Sequence, residues 1–371
     1  MSASRSVPFF DYPRLYTDER ESLLSIIDDV GGRGAFIMQR DLEEFEQALS
    51  DYTGARHAVG VANATDGLEL AWMALDLRPG EEVIISSHTM LATASAIVTA
   101  GGTPVPVELG EDNLIDPDAV AAAIGPRTVG IMPTQLNGRT CNMDPIMEMA
   151  RRHGLFVVED AAQALGSRFK GQHAGTFGNA AAFSFFPAKV LGCLGDGGGV
   201  VTNDDHLYDR VYQLHDHGRN VSGETRSWGR NSRLDNLQAA ILHHRLQTYA
   251  EVIDRRRAIA AAYQESLGDL EQLQLPPAPD SDPDHFDVYQ NYELQADRRD
   301  ELKQHLAAAG IGTLIQWGGK AVHQWERLGF NIRLPKTERF FERCIMLPMN
   351  MFVRDEDVAY VSSTIRSFYL S

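Results

Sequence analysis

Between residues 57 and 203 short apolar runs alternate with helical patterns, and that alternation narrows the possible folds more than any other feature. The runs fall near 57–63, 81–86, 103–109, 128–134, 155–160, 181–186 and 198–203. Helical spacing fills intervals near 65–77, 89–101, 116–124 and 144–153. Repeated strand–helix–strand units predict an α/β core with a mostly parallel seven-stranded sheet flanked by helices. At 371 residues the chain exceeds one ordinary core. The pattern divides it into an N-terminal arm (1–30), a large domain (31–250) and a smaller C-terminal α+β domain (251–371).

The flanking segments read more coarsely. The arm carries a short helix and ends at a glycine-rich stretch, Gly31-Gly32-Arg33-Gly34. Leu42, Phe45 and Leu49 then mark an acidic helix. From Leu234 to about Leu267 the pattern predicts one long amphipathic helix. Residues 275–287, rich in Pro and Asp, form a loop or hinge. A strand, a helix over 298–309, a loop carrying Trp317-Gly318-Gly319-Lys320 and a helix from about 355 complete the chain.

A formal net charge of -17 argues against nucleic acid and anionic membranes as partners. An anionic ligand would therefore need N–H donors or cations gathered locally. Cys141, Cys193 and Cys344 are odd in number and widely spaced, which favours a reducing compartment and gives no metal-site signature. No apolar leader and no run of roughly 18–20 apolar residues is present, so the expected location is the cytoplasm.

Lysine is scarce, five against 29 arginines, and one lies in Ser184-Phe185-Phe186-Pro187-Ala188-Lys189-Val190-Leu191-Gly192. An ammonium in apolar surroundings loses basicity and becomes a nucleophile suited to Schiff-base formation with a carbonyl such as pyridoxal phosphate. A lysine that snorkels to the surface is the alternative. Asp160 closes the run Leu155–Glu159, at the strand end where open α/β sheets bind ligands. It could keep a pyridinium nitrogen protonated or simply cap a helix. Asn63-Ala64-Thr65-Asp66-Gly67 opens a helix, whose N–H groups with the Thr65 hydroxyl could hold a phosphate, or Thr65 could be only an N-cap. Ser184 could add a hydroxyl to the same phosphate. Gly195-Asp196-Gly197-Gly198-Gly199 precedes a strand and does not fit GxGxxG, so it reads as a tight turn where backbone passes close to a ligand or lysine. His215-Asp216-His217 has no third ligand at metal spacing and reads as an exposed loop.

Taken together these motifs resemble the PLP-dependent nucleotide-sugar aminotransferases of the DegT type, with fold type I architecture. The resemblance runs through Val158-Glu159-Asp160-Ala161-Ala162-Gln163-Ala164, Gly175-Thr176-Phe177-Gly178, Ser184 to Lys189 and Gly195-Asp196-Gly197-Gly198. It extends to Asn63–Gly67, Pro79–Ile84, Asn231–Ala240 and Arg299–Leu302. It implies that Lys189 bonds pyridoxal 5'-phosphate and then moves the substrate proton. It implies that Asp160 pairs with the ring nitrogen, that Gln163 lies near the ring hydroxyl, and that Ala64, Thr65 and Ser184 hold the phosphate. Asn231 would reach the phosphate of a second subunit, making a homodimer with shared sites, and the segment near Phe36 would border the partner's site.

Two departures bear on specificity. Many members place an aromatic ring over the cofactor where this chain has His88-Thr89-Met90, so either His88 or Met90 takes that role or the stacking is weaker than usual. Many carry a histidine where this chain has Pro133-Thr134-Gln135-Leu136-Asn137-Gly138, a loop expected to face substrate. Trp317, Lys320 and His323 are candidate substrate contacts. Some relatives replace the lysine with histidine and dehydrate; Lys189 favours transamination. The implied reaction moves an amino group from a donor, L-glutamate, through the pyridoxamine form of the cofactor to a ketone of a nucleotide-linked sugar. A cyclitol ketone is the nearest alternative, and a non-catalytic binding or regulatory protein is a second class. No glycine fingerprint supports a nicotinamide dehydrogenase.

Overall fold

In the computed structural model, which describes residues 5–370, thirteen strands and twelve α-helices follow in this order. They are α1 (Tyr12–Arg33), α2 (Arg40–Thr53), β1 (His57–Val61), α3 (Ala64–Ala74), β2 (Glu82–Ser86), α4 (Leu91–Thr99), β3 (Thr103–Val107) and α5 (Pro117–Ala123). Next come β4 (Thr128–Met132), α6 (Met143–His153), β5 (Phe156–Asp160), the hairpin β6 (Arg168–Phe169) and β7 (Gln172–His173), β8 (Ala180–Ser184), β9 (Gly198–Thr202) and α7 (Asp205–His215). The remainder comprises α8 (Asn236–Leu246), α9 (Tyr249–Leu267), β10 (Leu273–Gln274), β11 (His285–Phe286), β12 (Tyr292–Ala296), α10 (Arg299–Ala308), α11 (Pro335–Arg343), β13 (Cys344–Leu347) and α12 (Asp355–Leu370).

The seven long strands of the α/β region form one sheet in the order β1-β9-β8-β5-β4-β2-β3. Pairing is parallel from β3 to β8, while β9 runs antiparallel between β8 and β1. The sheet is therefore mostly parallel, as the strand–helix alternation predicts. Both faces are covered. Trp72 of α3 is fully buried in the core on one side, with Val83, Ile85, Val158 and Val200; Ile84, Ile131 and Val157 face the opposite core with Ile146 of α6. A smaller antiparallel sheet, β10-β12-β13, packs with α9, α10 and α12 around Tyr263, Leu294, Leu347 and Ile365.

Several elements differ from expectation. The arm helix is not short: α1 has 22 residues, and Gly31-Gly32-Arg33 forms its last turn instead of a linker. Gly34 supplies the left-handed cap at φ 63. The long helix from Leu234 to Leu267 breaks at Gln247-Thr248, because α9 must turn away from the path of α8. Its first turns bury Tyr249 and Ile253 against the large core, whereas Ile259, Tyr263 and Leu267 belong to the small core. Thr65 is not the N-cap of α3. Asn63 is, accepting from the Asp66 N–H at 2.9 Å. His215-Asp216 is not exposed: both residues are buried, and Asp216 pairs with Arg233 at 3.0 Å.

Candidate active site

The carboxyl ends of β1, β2, β4, β5 and β8 meet on one edge of the sheet, where open α/β sheets place ligands. Segments that leave these strands wall a cavity of about 590 Å³. Ala64, Thr65, Met90, Asp160, Gln163, Ser184, Lys189 and Trp317 all line it. Residues from 64 to 317 thus converge on one space.

Asp160 ends β5 with 3% exposure, and no helix follows it to be capped. Its Oδ2 accepts from the Thr93 hydroxyl at 2.6 Å and its Oδ1 from the Ala162 N–H at 3.2 Å. Burial raises its carboxyl above the ordinary value of 3.8, against the pull of those donors and of Lys189. Burial lowers Lys189 from 10.5 to about 8, with Asp160 opposing. Each group is held away from its comfortable charge. A ligand with a cationic N–H for Asp160 and an electrophilic carbon for Lys189 would relieve both.

The opposite wall is built for an anion. The first N–H groups of α3, those of Ala64 and Thr65, have no partner inside the helix. Ser184 adds a hydroxyl from the end of β8. The start of β9 passes directly behind: a Cβ at Gly198 would stand 2.5 Å from the Asn63 carbonyl carbon and 2.7 Å from the Ala64 nitrogen. Glycine is required there by proximity to the backbone that opens α3. Asp66 also lines the cavity, and its carboxylate accepts from Ser232 at 2.7 Å.

Glu159, one residue before Asp160, faces the other side of the sheet and is fully buried. It accepts from Gln135 Nε2 (2.7 Å) and from the N–H groups of Gly175 (2.7 Å), Phe177 (2.8 Å) and Gly178 (2.9 Å). Four donors satisfy a carboxylate that burial would otherwise make costly. The Gly175-Thr176-Phe177-Gly178 motif is thereby tied to β5 and delivers the chain into β8. On the cavity side, Gln163 Oε1 accepts from the Asn137 N–H at 2.9 Å and lies 3.4 Å from Asn291 Nδ2. With its oxygen committed, the amide presents Nε2 as a donor.

Four residues singled out from the sequence do not line this cavity. His88 is buried beneath it, packed on Phe340 and Phe341, with Nδ1 donating to the Asn113 carbonyl at 2.8 Å. Met90, two residues on and immediately before α4, is 52% exposed and does line the wall. His323 is buried between Ser87 Oγ (2.7 Å) and Glu338 (3.3 Å), docking its segment onto the end of β2. Lys320 lies over the Trp325 ring at 5.2 Å. Asn231 is exposed, and its backbone bridges to that of the buried Asp216. Within the loop 133–138, Thr134 and Leu136 line the cavity while Gln135 turns inward to Glu159.

Sequence reading missed Thr93, Gln290 and Asn291. Thr93 is one of three hydroxyl residues in α4, and Gln290 and Asn291 stand just before β12. Both are isolated polar signals that only the tertiary arrangement makes meaningful. Among the described residues no cluster of three metal-ligating side chains occurs, and no helix is long and apolar enough to cross a membrane.

Comparison with known proteins agrees with this geometry. A family model described as the DegT/DnrJ/EryC1/StrS aminotransferase family matches residues 17–366. The dTDP-3-amino-3,4,6-trideoxy-alpha-D-glucose transaminase of Streptomyces venezuelae is 39% identical, over 98% of this chain and 96% of its own length. The UDP-N-acetyl-3-dehydro-alpha-D-glucosamine 3-aminotransferase of Acidithiobacillus ferrooxidans is 37% identical over 99% of each. The crystal structure of S. venezuelae DesV in complex with a ketimine intermediate superimposes with a TM-score of 0.93, at 39% identity and covering 98% of both chains.

Proposed function

The chain belongs to the DegT/DnrJ/EryC1/StrS aminotransferase family, and from that premise we propose that it aminates the keto group of a nucleotide-linked sugar with pyridoxal 5'-phosphate as cofactor. The observation that carries the reading is the meeting of Lys189, Asp160 and the N-terminus of α3 around one cavity. An amine of lowered basicity, a buried carboxylate and an anion cradle are what this cofactor's aldehyde, ring nitrogen and phosphate require. When bound, the pyridinium ring supplies an electron sink for the carbanion that forms when a proton leaves the carbon bearing nitrogen.

The chain's own residues have distinct tasks in this reading. The N–H groups of Ala64 and Thr65 and the Ser184 hydroxyl hold the phosphate. Asp160, oriented by Thr93, keeps a proton on the ring nitrogen. Gln163 donates Nε2 toward the ring hydroxyl, and Met90 lays its thioether on the ring face. Lys189 Nζ takes the proton from the donor's α-carbon and delivers it where it is next needed, near its own pKa of about 8. Trp317 faces the sugar, and L-glutamate is the amino donor.

A homodimer completes the site. Phe36, Phe186 and Trp228 expose 58%, 49% and 96% of their surface, apolar area that a second copy would cover. Asn231 and the segment near Phe36 then serve the partner's cavity. We also place the division between large and small domains within α9, whose two halves pack in different cores.

The test is the visible absorption spectrum of the protein with pyridoxal phosphate, before and after glutamate. A violet-region band that glutamate collapses is expected, and it should be absent from Lys189→Ala. No band in the wild type would sink the reading. For the shared site, mixing inactive Lys189→Ala with inactive Asn231→Ala should restore part of the turnover, which a self-contained site forbids.

A further inference from the structure

Gln290 approaches from the side of the small sheet and bonds the main chain on both sides of Lys189. Its Nε2 donates to the Ala188 carbonyl at 2.8 Å, and its Oε1 accepts from the Val190 N–H at 2.9 Å. Those groups belong to the two peptide planes that meet at the Cα of Lys189. The first plane is also held through the Lys189 N–H, which donates to the Phe186 carbonyl at 2.8 Å. One side chain therefore fixes both planes, and with them the direction in which the lysine Cβ leaves the chain.

The clamp is itself anchored. Gln290 is 5% exposed. Its carbonyl accepts from Arg256 Nη2 at 3.1 Å, while Arg256 Nη1 donates to the Met349 carbonyl. Gly138 crosses so closely that a Cβ there would stand 2.6 Å from the Gln290 nitrogen, and its carbonyl accepts from the Val288 N–H at 2.8 Å. The neighbouring Asn291 bonds Asn137 Oδ1 at 2.9 Å.

We propose that Gln290 is the positioning residue of Lys189, setting the direction and depth at which the amine enters the cavity. The proposal rests on Lys189 being the catalytic amine. A loop of small and apolar residues such as Pro187-Ala188-Lys189-Val190-Leu191 has few polar side chains of its own to hold it, so its conformation depends on this outside amide. Without the clamp the loop relaxes toward solvent, and the amine regains water. Burial is what holds Lys189 near 8, so the released amine should titrate closer to 10.5.

The experiment reads Lys189 in the full-length protein without cofactor. Competitive acetylation as a function of pH, quantified by mass spectrometry, gives the titration of this amine. Gln290→Met keeps the bulk and removes both bonds; Gln290→Asn is one methylene short and cannot span both partners. The expected result is an upward shift of at least about one unit in Gln290→Met, cutting acetylation at pH 8 about fivefold. Gln290→Asn should fall between it and the wild type. In turnover, kcat should fall while KM for the amino donor changes little. A folded Gln290→Met with wild-type acetylation would overturn the proposal. Should Gln290→Met fail to fold, an unshifted Gln290→Asn would overturn it on the same criterion. Because acetylation needs neither cofactor nor substrate, it decides this point even if the aminotransferase reading fails.

Discussion

Gly198→Ala tests whether the anion cradle is built by backbone proximity. The position carries no left-handed φ, so an alanine has no conformational objection; the objection is space. The new Cβ would lie 2.5 Å from the Asn63 carbonyl carbon, where ordinary contact begins at 3.4 Å. β9 and the start of α3 must separate by about 0.9 Å, and the blocking atoms are backbone that cannot rotate aside. Overpacking of this kind costs about 1–3 kcal/mol of stability. The shift also moves the Ala64 and Thr65 N–H groups off the phosphate position. Losing one hydrogen bond to a charged group, about 1.5–3 kcal/mol, corresponds to roughly 10–150-fold weaker binding. Urea unfolding of the cofactor-free protein measures the first effect and fluorescence titration with pyridoxal phosphate the second. Gly125→Ala, with nothing within 4 Å of its Cβ, is the control and should behave as wild type. A Gly198→Ala protein that binds pyridoxal phosphate with wild-type affinity would refute the placement of the phosphate at α3.

Other expectations follow from the same geometry. Thr93→Val keeps shape but removes the 2.6 Å donor to a buried carboxylate, and should lower cofactor-free stability by about 1.5–3 kcal/mol in urea; an unchanged midpoint would contradict the role given to Thr93. The apparent rate of pyridoxal phosphate capture by the cofactor-free protein should climb through about pH 8 as Lys189 deprotonates, and a midpoint near 10.5 would show an unburied amine. Glu46, part-buried and accepting from the Gly60 N–H at 2.7 Å, is pushed by burial from 4.5 to about 7. Its folded pKa is raised, so its contribution to stability is present below about 4.5 and lost as pH rises through about 7. Glu46→Gln keeps the acceptor and should gain on the wild type across that interval, which paired unfolding curves at pH 4.5 and 8 would show.

The strands of the large sheet were legible because burial on both faces writes them as short apolar runs. Their directions were not: nothing in Gly198–Thr202 distinguishes an antiparallel insertion from another parallel strand. Helix α1 was underestimated because Gly31 and Gly32 carry a propensity penalty that a last turn tolerates. α11 and β13 were missed because each is short and they adjoin without a turn. Lys189, Asp160 and the α3 start were readable from residue type at strand ends. His88 misled because its ring is buried against Phe340 and Phe341, contacts distant in sequence, while Met90 lines the cavity. Thr93, Gln290 and Asn291 act through partners distant in sequence, and no local pattern announces them.

The antiparallel β9 has a consequence for synthesis. Among the described residues β1 pairs only with β9, so residue 57 must wait for residue 202 before its edge of the sheet exists. At about 5–20 residues per second, the intervening 145 residues take roughly 7–30 s to emerge from the ribosome. Through that interval the nascent β1 and α3 lack the strand that backs them. A chain stalled before Gly198 is left with an unpaired apolar edge, a natural substrate for chaperones.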